Sequence, residues 1–180
     1  MNIIHYHTKY LDLKSTISKE GQIWFYAHRP NAVDVVVILA KTKDEVLFLI
    51  EERPPMQAEN KGVYTIGMAA GLVGDERLNE SAEEALKAEL LEETGLIAKD
   101  FEIVAKNVAS SAGCVSETFL IAIANIENKK PILEPVSDGG IIIDRVWVNI
   151  KDIHNWITQK EKEGYVLTSQ ALAALFYLYK

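Results

Sequence analysis

The sequence predicts an α/β (α+β) fold, a mixed β-sheet core sandwiched between helices, with antiparallel strands at the N-terminus. Three observations lead there. Short apolar, β-branched and aromatic runs of strand length recur along the chain. One glutamate-rich segment with helical spacing interrupts them, and two more helical segments close the chain. Elements mixed in this order pack as layers about a shared core. The 180 residues suffice for one domain with a sizeable core, and 48% hydrophobic against 25% charged residues favours a folded chain.

The opening segment, residues 1–30, carries IIHYHTKYLDL and, after the polar STISKEG, QIWFYAH, both of strand composition. Pro30 and Asn31 punctuate a turn, and residues 31–180 form the main domain. Val33 to Leu39 is an almost unbroken apolar run, as expected of a strand covered on both faces. KTKDE reads as a hairpin turn, VLFLIEER as the next strand, and PPMQAENKG as a loop, because paired prolines end a ladder. VYTIGMAAGLV reads as a strand running into a glycine-rich loop.

SAEEALKAELLEET is the one long helix in the middle of the chain. Asn79 or Ser81 can cap it, Glu83 and Glu84 suit its first turn, and Gly95 suits the left-handed position past its end. Ala82, Ala85, Leu86 and Leu90 give it one apolar face. FEIVAKNVA, ETFLIAIANI and IIIDRVWVNI read as strands, with SSAGCVS as a loop. DIHNWITQKEKEG and TSQALAALFYLYK read as closing helices.

Composition excludes several function classes. A net charge of -7 with no lysine/arginine run argues against a nucleic-acid binder, which must neutralise phosphates. A small phosphorylated ligand held by local cations or metal stays open. Cys114 is the single cysteine, so no internal disulfide is expected, in keeping with a reducing, cytoplasmic setting. MNIIHYHTKY lacks the apolar core of a signal peptide, and no apolar run approaches the roughly 20 residues that span a bilayer. No membrane partner is expected.

The helix ending in AELLEETGL holds Glu89, Glu92 and Glu93 in its last turns. Such neighbours repel by about 0.2–0.5 kcal/mol per pair. Each also opposes the helix macrodipole by about 0.3–1 kcal/mol. The plain alternative is a solvated acidic stripe. The acids stand where local rules least favour them, however, and no lysine or arginine follows Lys87 in the helix. A misfit of this kind marks a functional site. Divalent metal reverses its sign, since Mg²⁺ takes carboxylate oxygens together with substrate phosphates.

These residues resemble the Nudix box: glycine, five residues, glutamate, seven residues, then Arg-Glu-aliphatic-any-Glu-Glu-any-Gly-aliphatic. Gly74, Glu80, Glu89, Leu90, Glu92, Glu93, Gly95 and Leu96 fill the pattern, and Ala88 stands at the arginine position. The flanks are similar to ADP-ribose pyrophosphatases: RPNAVDVVVIL to their "HPGAV", EERPP to "QFRPP", GMAAGLVGDE to "LPAGLVD", and SSAGCVSETFLIAIA to "SPGFSDE". The resemblance covers most of residues 29–124. The late loop PVSDGGIIID, where that subfamily often supplies a catalytic glutamate, offers only Asp138 and Asp144.

The resemblance implies Mg²⁺-dependent (Mn²⁺ possible) hydrolysis of the pyrophosphate bond of ADP-ribose or a related nucleoside diphosphate sugar. It implies Glu89, Glu92 and Glu93 as metal ligands with the Ala70 carbonyl, and Glu80 as their support. It also implies Arg53 on phosphate, Ser116 and Glu117 on the terminal sugar, Trp24 (or Tyr26) stacking on the base, and a homodimer formed through the N-terminal strands. The alternatives are a hydrolase of GDP-mannose or UDP-glucose type and a weakly active or non-catalytic nucleotide-binding protein. Against their plain readings, His5 and His7 are a packed or solvated pair, His28 and His154 carry no constellation, Cys114 is an inert thiol, and Trp147, Trp156, Phe176 and Tyr177 belong to core or interface.

Overall fold

The computed structural model of the chain describes residues 2–31, 34–74, 80–135 and 141–179. It opens with β1 (Ile3–His7), β2 (Asp12–Ile17) and β3 (Ile23–His28), which form a separate three-stranded antiparallel sheet. Then follow β4 (Asp34–Lys41), β5 (Glu45–Glu52), a short α1 (Pro54–Ala58), β6 (Thr65–Gly67), β7 (Ala69–Val73), α2 (Ala82–Thr94), β8 (Asp100–Ala109), β9 (Thr118–Asn125) and β10 (Ile141–Asn149). A 3₁₀ turn at Ile150–Asp152 leads to α3 (Ile153–Lys162), β11 (Val166–Leu167) and α4 (Ser169–Leu178).

The large sheet has eight strands and mixed direction. Strands β4 and β5 leave their hairpin and diverge, with Lys41 and Val46 alone in register between them. Beyond the turn β4 pairs with β7 and, in parallel, with β9; β5 pairs with β10 and β6. Residues alternate across the pleat. Val36, Ile38, Leu47 and Leu49 pack with Ala85, Leu86 and Leu90 of α2. Val37, Leu39, Phe48 and Ile50 pack with Ile153, Ala171 and Leu175 of α3 and α4. Helices therefore cover both faces, and the apolar run of β4 is buried throughout from Val36 to Leu39. That is the expected sandwich.

Four details differ from the sequence reading. Pro54 and Pro55 start a one-turn helix instead of a loop, because proline at the first helical positions loses no needed hydrogen bond. Ser15, Thr16 and Ile17, read as part of a polar break, continue β2: Ser15 is buried and its hydroxyl meets His5 Nε2 at 2.7 Å. Residues 65–73 form two strands, β6 and β7, not a strand and a loop. The two-residue β11 was not foreseen, and two residues are too short a run to show a period. Val33, Asn79 and Asp138 lie outside the described residues.

Candidate active site

Helix α2 is fixed at both ends before any ligand is considered. Ser81 is its N-cap: the hydroxyl accepts from Glu84 N at 3.3 Å and the Glu84 carboxylate accepts from Ser81 N at 2.9 Å. This reciprocal pair satisfies two of the helix's orphan donors. Gly95 closes the far end at φ 70°, donating to Leu91 O at 2.8 Å. Fully buried Leu86 and Leu90 anchor the helix to the sheet. These contacts point the next face, with Glu89 and Glu93, at β7.

Glu93 is buried, 8% exposed, and its Oε2 accepts a hydrogen bond from Ala70 N at 2.9 Å. Burial pushes its carboxyl up to about 8, and the nearby carboxylates Glu51 and Glu89 push the same way; the Ala70 N–H and Arg53 oppose them. Glu89 lies against Gly71, where any Cβ would collide with its carboxylate. Glu92 sits half-buried on the same turn. Glu80 accepts from Gly74 N at 3.2 Å, so the first glycine and first glutamate of the box are joined directly.

A second charged pair borders this face. Glu51, near the end of β5, is 3% exposed and takes Arg53 Nη2 at 2.7 Å and Nε at 3.3 Å. Thr65 Oγ1 donates to the same carboxylate at 3.3 Å, and Gly67 leaves the space that a side chain would take from it. Arg53 is 44% exposed, so the fork held on one side by Glu51 still reaches solvent. Sequence reading missed Glu51. The available signal was an acid two residues before an arginine at the end of an apolar strand.

Among the described residues no three histidine, cysteine, aspartate or glutamate side chains converge closely enough to hold a metal at once. The donor chemistry nevertheless fits a hard cation. Mg²⁺ uses one or two protein carboxylates and takes its other oxygens from water and substrate phosphate. A carboxyl raised by burial and, to a lesser degree, by neighbouring acids is also a group that a cation would stabilise in its charged form.

The NUDIX domain family model matches residues 28–169. The chain belongs to the Nudix family. Nudix hydrolases generally use divalent metal ions. A solved structure of an ADP compounds hydrolase is similar to this Nudix chain with a TM-score of 0.64 and 18% identity, covering 99% of this chain and 90% of that one. At that identity the likeness establishes the shared fold. No curated protein matches the sequence.

The remaining expected residues of the Nudix site are spread around this centre. Ser116 and Glu117 lie where the loop after β8 meets the N-terminal sheet: Ala27 N donates to Cys114 O at 2.8 Å and Ser116 N to Ala27 O at 3.1 Å. Ser116 Oγ meets His28 Nδ1 at 2.9 Å, and Glu117 binds Arg29 Nε at 2.7 Å. His28 thus has a partner, against the reading that it carries no constellation; the contact crosses 88 residues of sequence and is invisible locally. With Asp34 and Thr118 these residues line a small cavity of about 90 Å³. Trp24, 49% exposed in β3, does not line it. Asp144 accepts from Arg145 N at 2.7 Å and is exposed.

A larger cavity, of about 480 Å³, lies elsewhere along α2, between Leu86, Leu90, Leu91, Phe101 and Ile103. Its apolar wall contains none of the box glutamates. Charge and hydrogen-bond donors are gathered instead on the acidic face, at Glu89, Glu93, Glu51 and Arg53.

Proposed function

We propose that this protein is a Mg²⁺-dependent pyrophosphatase acting on ADP-ribose or a related nucleoside diphosphate sugar. The observation that carries the reading is Glu93: a buried carboxyl raised to about 8, tethered to Ala70 N and flanked by Glu89, Glu51 and Arg53. Glu89 and Glu93 would be the principal carboxylate ligands of the cation, with Glu92 and Ala70 O beside them and substrate phosphate and water completing its shell, and Mn²⁺ would substitute. The cation supplies charge neutralisation at the diphosphate and thereby eases attack by water.

The chain's own groups do the rest. Arg53 binds a phosphate oxygen through the part of its guanidinium not engaged by Glu51, since a planar fork suits such oxygens. Glu51 keeps that fork in one orientation. Glu80 holds Gly74 and so the entry to α2. Ser116 and Glu117, with His28 and Arg29, would receive the terminal sugar by hydroxyl and carboxylate contacts. Trp24 would stack on the base only across an assembly that brings it to the cleft. Water attacks one phosphorus, the bridging P–O bond breaks, and two phosphomonoesters leave.

The exposure of the β1–β3 sheet supports a homodimer formed through it. Ile3, Ile4, Tyr6, Ile23, Trp24 and Phe25 are each about half or more exposed, a concentration of apolar surface that favours a partner. No helix among the described residues is long and apolar enough to cross a membrane. We place the protein in the cytoplasm, where the exposed free thiol of Cys114 stays reduced.

The test is a hydrolysis screen of ADP-ribose, GDP-mannose and UDP-glucose with Mg²⁺, comparing wild type with Glu93→Gln. Turnover of ADP-ribose that the variant lacks supports the proposal. Preference for another sugar nucleotide moves the substrate. Binding of ADP-ribose without products, under excess Mg²⁺ or Mn²⁺, replaces the enzyme with a nucleotide-binding protein.

A further inference from the structure

Helix α2 ends in three carboxylates and has no basic residue in its last turn. Its final carbonyls need partners from outside the helix. Leu91 O receives Gly95 N. Glu93 O receives the side chain of a residue 52 positions further on: Arg145 Nε donates to it at 2.6 Å. Arg145 lies in β10 opposite Leu49 of β5, on the sheet face that packs against α2. It is half-buried, and a guanidinium keeps its charge at any accessible pH.

Glu93 is therefore held twice. Its carboxylate is tied to Ala70 N of β7, and its own main-chain carbonyl is tied to Arg145 of β10. The second bond is charge-assisted and short, and it sets a positive charge at a helix end that is negative from both dipole and side chains. If it is lost, the turn carrying Glu92 and Glu93 keeps its like-charge repulsion but loses one of its two ties to the sheet.

We infer that Arg145 is a positioning residue for the metal-binding carboxylates, holding the last turn of α2 in register with β7. The inference rests on the metal reading of the acidic site. It concerns a residue outside the box helix and requires no contact between Arg145 and substrate.

The test measures Mn²⁺ binding without substrate, by electron paramagnetic resonance of the free ion, in wild type, Arg145→Met and Arg145→Lys, alongside thermal melts and kinetics. Loss of a residue that supports a metal ligand weakens metal affinity by roughly 10–100-fold. The expected result for Arg145→Met is weakening in that range, with kcat reduced and KM for the sugar nucleotide little changed. Arg145→Lys should recover part of the affinity, because an ammonium can still donate to Glu93 O. Should the methionine variant fail to fold, the lysine variant decides by the same Mn²⁺ titration, and affinity equal to wild type with a lowered melting temperature overturns the inference. So does a folded Arg145→Met with unchanged Mn²⁺ affinity, or a rise in KM alone, which would make Arg145 a substrate contact. Wild type that binds no Mn²⁺ overturns the metal reading itself, a failure distinct from the other outcomes.

Discussion

At the scale of single residues, Glu93 decides most. Its folded-state value of about 8 lies above the ordinary 4.5, so its protonated form favours the fold. That contribution is complete below about pH 4.5 and is lost as pH rises through about 8. In chelator, wild type should lose thermal stability between pH 5 and 8. Glu93→Gln, always neutral, should lose less and melt higher at pH 8, while its turnover falls by about 100-fold or more. Melting curves across pH, with and without Mg²⁺, check this: added Mg²⁺ should raise the wild-type melting point at pH 8 and leave the variant's almost unchanged. Gly71 allows a companion test. A methyl group there meets first the movable end of Glu89. Gly71→Ala should keep a near-native melt yet lose about tenfold or more in kcat, because the carboxylate must move away from β7.

At the scale of elements, α2 shows local and long-range causes acting together. Its N-terminus is written locally: Ser81 and Glu84 form the reciprocal cap. Ser81→Ala should cost about 0.5–2 kcal/mol. That corresponds to a fall of a few degrees in melting temperature, with activity retained at lower temperature. Its C-terminus is only half local. Gly95 is required by φ 70° and also by the strap that crosses it, since a Cβ there would press on Leu133 O and Pro131. Gly95→Ala should therefore destabilise by more than the about 1 kcal/mol expected for glycine's conformational freedom alone. Calorimetry of the two variants ranks them, with Gly95→Ala the less stable.

At the scale of the whole molecule, the small N-terminal sheet is joined to the main body by the short ladder at Ala27, Cys114 and Ser116, and its outer surface is apolar. Ile23→Glu combined with Phe25→Glu should convert a dimer to a monomer in light scattering while leaving the α2 site folded. A wild type that is monomeric at all concentrations would remove the dimer from the proposal. The same three scales explain how far the sequence could be read. The box helix was legible from its spacing and its glycine stop, and the buried β4 from its unbroken apolar run of strand length. The proline helix α1 was not, because paired prolines suit a loop and a helix start equally well.

The sequence by itself determined the three-layer fold, the extent of α2 with the glycine at its end, and the crowding of carboxylates there. All of these follow from spacing over a few residues, where side-chain period and backbone preference act directly. Only the tertiary structure decided that Glu93 is buried against Ala70, that Glu51 holds Arg53, that His28 meets Ser116, and that Arg145 seizes the end of α2. Apart from Glu51 and Arg53, which are two residues apart, these pairings span 23 to 88 residues. Such contacts are set by strand order and register, and no local pattern encodes which distant strand will lie beside which.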